Sequence, residues 1–211
     1  MILPETVTVD EGLTVVGASP ELLEELLDFL DVETTRLGVS VRDALLPGLA
    51  RQQVQDEFGA VGLQAPEELI TWWGWSNGVR PGVMGTRSFE FNSLQTTLGS
   101  WSREVHGSGN NDGTWNPEWL RVLGPGNYGV LVSCAAVDGP PLVRDSDGAL
   151  GTAVWDTDNQ VVSLCTPVTW WIHARQRGWT TWTPAPGGQN EWMVDWEKFP
   201  LEWRLTQIPQ Y

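Results

Sequence analysis

Gly74-Trp75-Ser76-Asn77-Gly78 has the Gly-x-Ser-x-Gly spacing of a nucleophile elbow, in which a serine hydroxyl attacks an acyl carbon. That chemistry needs the serine on a sharp turn from strand into helix, with a base in hydrogen-bond reach. The surrounding pattern predicts the reverse order, a helix running into a loop. His106 and His173 are the only imidazole bases in the chain. Ser76 therefore reads as part of a helix C-terminus, and no catalytic residue is assigned. Cys134 and Cys165, taken with the two histidines, lack the paired short spacings of a zinc site. Two cysteines so far apart are expected as small buried hydrophobes and not as a disulfide. Asp145-x-Asp147-Gly148 and Asp156-x-Asp158-Asn159 bring oxygen ligands together as a calcium site would. Neither has the later glutamate at EF-hand distance, and these are also the ordinary residues of tight turns. No metal and no cofactor is expected. No glycine-rich loop with a lysine joins a strand to a helix, so no phosphate cradle is expected either.

Charge is the chemistry this chain has in quantity. Twelve basic residues face 27 acidic ones, a net charge of −15. The first basic residue is Arg36, and nine carboxylates precede it. A surface this negative repels nucleic-acid phosphates and anionic membranes, and it attracts cationic partners. Neither a nucleic acid nor a membrane is expected as a partner. Glu21, Glu24, Glu25, Asp28 and Asp31 share one side of a predicted helix, opposite Leu22, Leu23, Leu26, Leu27, Phe29 and Leu30. Like charges at i, i+3 and i+4 cost a few tenths of a kcal/mol per pair. Such a face suits docking of a basic partner, and it suits equally the solvated side of a core helix. Asp145, Asp147, Asp156 and Asp158 make a second candidate patch. Fourteen tryptophans against two tyrosines supply large buried areas, or a few recognition faces.

These residues must be positioned by elements that the local pattern predicts. At 211 residues a single domain is the default. Residues 5–16 alternate partly and suit a strand or an extended arm, so residues 1–18 are expected as an arm before the first helix. Ser19-Pro20 opens that helix, which runs to about Leu37 and stops at Gly38. A helix ending near Gly59 follows. Pro66 opens the next, Glu67 and Glu68 suit its positive N-terminal end, Leu69, Ile70 and Trp73 form its apolar stripe, and Asn77-Gly78 closes it. Phe89-Glu90-Phe91 suits a short strand and Ser93 to Trp101 a short helix. The run 107–113 has nothing to bury and is expected to be mobile. Strands are expected at Trp119 to Leu123, Tyr128 to Ala136, Leu142-Val143, Leu150 to Trp155 and Val161 to Leu164, with an Asp-Gly turn at 147–148. Thr166 is expected to cap a late helix with Pro167 at its first position, Val168, Trp171, Ile172 and Arg175 on one side, and Gly178 as the stop. The tryptophan-rich stretch 179–211 is expected to pack back on the domain, with Trp192, Val194 and Trp196 alternating as a strand. The class is α+β: N-terminal helices on a mixed, largely antiparallel sheet.

The order of motifs resembles the SUKH superfamily, which includes yeast cell-wall-integrity regulators of Smi/Knr type and many bacterial immunity proteins. The likeness is carried by Leu45-Leu46-Pro47-Gly48, by Pro66-Glu67-Glu68-Leu69 closing on Asn77-Gly78, by Trp115-Asn116-Pro117-Glu118-Trp119-Leu120, by Val130-Leu131-Val132-Ser133, and by Thr166-Pro167 through Gly178. It spans roughly residues 20–180. Ala65 stands where leucine is usual, Arg121 where proline is usual, and Ser133-Cys134 where an aspartate is expected. The resemblance implies binding without catalysis: an immunity-type protein that neutralises a basic toxin domain by occluding it. A regulatory scaffold of the Smi/Knr type is the alternative, and a tryptophan-based glycan-binding module is a further one that exposed indole rings would favour. The N-terminal stretch lacks a basic region followed by an apolar run, so a cytoplasmic location is expected.

Overall fold

The computed structural model describes residues 1–38, 40–80, 91–107, 115–124, 128–135, 139–147, 160–184, 190–198 and 200. The described chain runs β1 (Thr6–Val9), β2 (Gly12–Val15), α1 (Pro20–Arg36), α2 (Val41–Ala44), α3 (Arg51–Ala60), α4 (Glu67–Trp75), α5 (Leu94–His106), β3 (Trp119–Leu123), β4 (Tyr128–Ser133), β5 (Leu142–Asp147), β6 (Gln160–Val162), α6 (Cys165–Gln176), β7 (Thr180–Pro184) and β8 (Asn190–Val194). This is an α+β fold with a late helix after the strands of its main sheet. That sheet has the order β1-β2-β6-β5-β4-β3. It is mixed: β2 pairs parallel with β6, and the other pairs are antiparallel.

The N-terminus takes the strand alternative. β1 and β2 form a hairpin, and Leu13 registers with Val161 at the sheet's parallel pair. The expected arm over residues 1–18 is thus corrected: much of it is sheet. Ser19 caps α1, its Oγ accepting from the Leu22 N–H at 3.1 Å, with Pro20 as the first helical residue. Leu23, Leu26, Leu27 and Leu30 are wholly buried. Gly38 takes φ +91°, which a side chain rarely allows, and ends the helix there. Pro66 stands just before α4, at its N-cap position and without a side-chain cap bond, and Ser93 caps α5. That helix continues five residues past the expected end at Trp101, because nothing in Ser102 to His106 breaks it before Gly107.

α6 departs further from expectation. It begins at Cys165, so Thr166 lies inside its first turn and Pro167 is the third helical residue. The Thr166 hydroxyl donates to the Val162 carbonyl at 2.8 Å and does not cap the helix. Pro167 is still tolerated, since N–H groups of a first turn have no intrahelical partner. Burial is not confined to one side: every residue from Cys165 to Ile172 is buried, as are Ala174 and Arg175. α1 packs on α6, and α6 packs on β2. β5 runs to Asp147, so Asp145 and Ser146 belong to a strand paired with β4 and not to a turn. β7 and β8 pair as a separate hairpin, Thr180 opposite Val194. Within the tail, the strand reading holds for Asn190–Val194, and a short 3₁₀ turn follows at Trp196–Lys198. The expected strand around Phe89-Glu90, the glycine-rich stretch from residue 108, the strand over 150–155 and the stretch 201–211 lie outside the described residues.

The Pro47-Gly48 step is explained by contact. Segment 44–49 runs against the end of α4, with the Leu49 N–H on the Trp73 carbonyl and the Leu46 N–H on the Gly78 carbonyl, both at 2.8 Å. A Cβ on Gly48 would lie 1.6 Å from the Gly74 carbonyl oxygen, a backbone atom that cannot swing aside. Gly48→Ala is expected to destabilise the fold by roughly 2–4 kcal/mol, read as a lower urea midpoint at unchanged slope.

Candidate functional site

The acidic side of α1 was the first candidate, and the structure divides it. Glu21, Glu24 and Glu25 are exposed. The Glu21 backbone N–H and then the Ser19 side chain hold its carboxyl below the ordinary range. Asp28 and Asp31 have internal work. Asp28 Oδ1 accepts from the Trp75 indole N–H at 2.8 Å and from the Arg42 guanidinium. That guanidinium lies over the Trp75 ring, 4.5 Å from its centroid. Asp31 Oδ1 accepts from the Arg42 N–H at 3.0 Å, satisfying a donor at the start of the short α2. These two carboxylates therefore tie α2 and α4 to α1. Of the second patch, Asp145 and Asp147 lie on β5, with backbones opposite Val130 and Tyr128. Asp156 and Asp158 lie outside the described residues.

Ser76 follows α4 as its C-cap, so the strand-to-helix turn of a nucleophile elbow is missing. Its hydroxyl is buried and directed at the Leu46 and Gly78 carbonyls, at 3.2 and 3.1 Å. His106 sits at the far end of α5, edge-on to Trp101. Cys134 and Cys165 are free and buried. Burial above all pushes both thiols up to about 12, with Glu118 and Glu68 adding to the effect, so neither is a thiolate at neutral pH. Among the described residues no three His, Cys, Asp or Glu side chains converge as a metal site would require. Trp72, Trp73, Trp75, Trp101, Trp119, Trp170 and Trp171 are buried, and Trp115 and Trp179 are half-buried.

A further feature did not emerge from the sequence. The N-termini of α1, α4 and α6 meet around Glu68. Its Oε2 accepts from the Leu164 N–H at 2.7 Å, at the start of α6 and 96 residues away. The Cys165 thiol reaches the Ser19 carbonyl, 3.4 Å off, at the start of α1. Glu68 is only 2% exposed, and among the described residues its Oε1 has no hydrogen-bond partner. Beside it opens a cleft of about 380 Å³, walled by Ala18, Pro20 and Pro140, with Ser19, Glu67 and Glu68 as polar lining. Glu67 faces outward and pairs with Arg51 of α3. One sequence signal marks Glu68: it lies at i−4 to Trp72 and i−7 to Trp75, so it shares a side with two tryptophans, away from Leu69, Ile70 and Trp73. No family model matches the chain, and no curated protein matches it.

Burial pushes the Glu68 carboxyl up from the ordinary 4.5 to about 7, while Ser163 and the Leu164 N–H pull the other way. The folded state thus holds the proton more tightly than the unfolded chain. Stability is greatest below pH 4.5 for this group, falls as pH rises from 4.5, and levels off above about 7, a loss on the order of 3 kcal/mol. Glu68→Gln keeps an acceptor for Leu164 and removes the titration. Its melting temperature should exceed that of the parent at pH 8 and match it at pH 5. For the α1 face, Asp28→Ala should cost about 1–2 kcal/mol by stranding the Trp75 indole N–H, and Glu24→Ala should stay within about 0.5 kcal/mol, both by chemical denaturation.

Proposed function

We propose that the protein is a non-catalytic receptor for a basic protein partner, of the immunity type that the SUKH resemblance implies. In this reading it sits in the cytoplasm of a producing cell and occludes a cationic toxin domain. The observation that carries the proposal is the exposed run Glu21, Glu24 and Glu25 on α1, in a chain of net charge −15. Long-range attraction would speed the encounter and disfavour acidic competitors, while tight affinity would come from a few desolvated anchors. The α+β architecture is compatible with the resemblance, and no described helix is long and apolar enough to cross a membrane. The glycan-binding alternative gains no support from Trp72, Trp73, Trp75, Trp101, Trp115, Trp119, Trp170, Trp171 and Trp179, which are buried or half-buried.

The test pairs the protein with the toxin domain encoded beside its gene. The double variant Glu24→Lys/Glu25→Lys leaves the internal partners of Asp28 and Asp31 in place. It should slow association by about tenfold at low salt and flatten the salt dependence. An association rate and salt slope equal to those of the parent would remove α1 from the interface. The absence of any complex with a basic toxin domain would end the proposal.

A further inference from the structure

Three helix N-termini converging on one point would ordinarily suit an anion. Here that role is already filled, because Glu68 itself occupies the point and spends one oxygen on the Leu164 N–H. Among the described residues the other oxygen, Oε1, has no donor. A carboxylate oxygen buried without a partner costs free energy that an incoming N–H would recover. Glu67 on the rim is already paired with Arg51, so it is the Glu68 carboxylate that makes a cationic donor better than a neutral one. The cleft walls, Ala18, Pro20 and Pro140, are apolar and suit a hydrocarbon stem. The volume of about 380 Å³ falls in the roughly 300–1,000 Å³ range of ligand pockets.

We propose that this cleft binds an alkyl chain ending in a guanidinium or ammonium group, the arginine or lysine side chain of a partner, with its head paired to Glu68. The inference rests on the reading of the protein as a receptor for a basic partner and adds the position of one anchor. Desolvated on a buried carboxylate, such a side chain would form the charge-assisted contact that decides dissociation, as the exposed α1 carboxylates cannot.

The test uses the full chain labelled with ¹⁵N, titrated with n-butylguanidinium, n-butylammonium and a capped Gly-Arg-Gly peptide at constant ionic strength. Saturable shifts are expected at the Glu68, Leu164 and Ser19 amides. Affinity should drop by about tenfold or more in Glu68→Gln and stay within about twofold in Glu24→Lys/Glu25→Lys. Gly139→Arg is a second variant that the fold accommodates, since a Cβ there meets no atom within 4 Å. It places a guanidinium at the rim and should block the probes. Shifts that never saturate, or that survive both cleft variants, would overturn the inference. Binding of the free cations without the peptide would also overturn it, by assigning the cleft to a free amine. The outcomes separate from those of the receptor proposal: probes that fail at Glu68 leave the α1 test standing, and probes that bind there do not rescue a protein with no basic partner.

Discussion

The rest of the fold depends on the first two turns of α6 having no free face. A helix buried on all sides cannot be covered by one neighbour, so elements from the whole chain must meet around it. α1 covers it on one flank and β2 on another, and the Trp170 indole N–H reaches the Thr6 hydroxyl of β1 at 3.2 Å. Its start is held by Glu68 of α4. Water cannot satisfy polar groups in such a place, so each must find a protein partner or carry the cost. The Thr166 hydroxyl turns to Val162, the Cys165 thiol to Ser19, and the Arg175 guanidinium to the Trp171 carbonyl. These bonds join segments as far apart as residues 6 and 170, and they bind the N-terminal hairpin into the same cooperative unit as the late helix.

A net charge of −15 repels itself, and the fold puts part of that charge to internal use. Asp28 and Asp31 hold α2 and α4 to α1. Glu33 accepts from Arg36 and from Gln176 of α6. Glu104 pairs with Arg121, which is 7% exposed and joins α5 to β3. Rim carboxylates and buried ones therefore differ in kind. Exposed ones act at a distance and are screened by salt. A buried one with an unused oxygen acts only on contact, but far more strongly. In the proposed reading, attraction and anchoring fall to different residues, Glu21, Glu24 and Glu25 on one side and Glu68 on the other.

Local signals made most elements legible. Serine before Pro20, Pro66 before two glutamates and Ser93 before an apolar repeat each mark a helix start, because capping is decided within four residues. The Tyr128 to Ala136 run reads as a covered strand; the strand is Tyr128–Ser133, with Val130, Leu131 and Val132 buried. The misreadings fell where a distant partner outweighs the local rule. Thr166 looks like a cap, yet its hydroxyl finds Val162 and the helix starts at Cys165, two residues before Pro167. Residues 6–15 alternate too weakly to choose between arm and strand until Val161 and Gln160 arrive beside them.

The candidate site was less legible than the fold for the same reason. Charge sums, helical spacing and turn chemistry are properties of the chain alone, so the amino-acid order determined the acidic balance, the two-sided character of α1 and the positions of the helix starts. Which carboxylates remain available to a partner is a property of packing. Asp28 and Glu24 are equivalent by spacing, and only the approach of Trp75 and Arg42 separates them. Glu68 beside Glu67 reads as an ordinary helix-start acid. Tertiary structure alone placed it under three helix ends with one oxygen unspent, because the groups that bury it come from residues 18–20 and 163–165, far away along the chain.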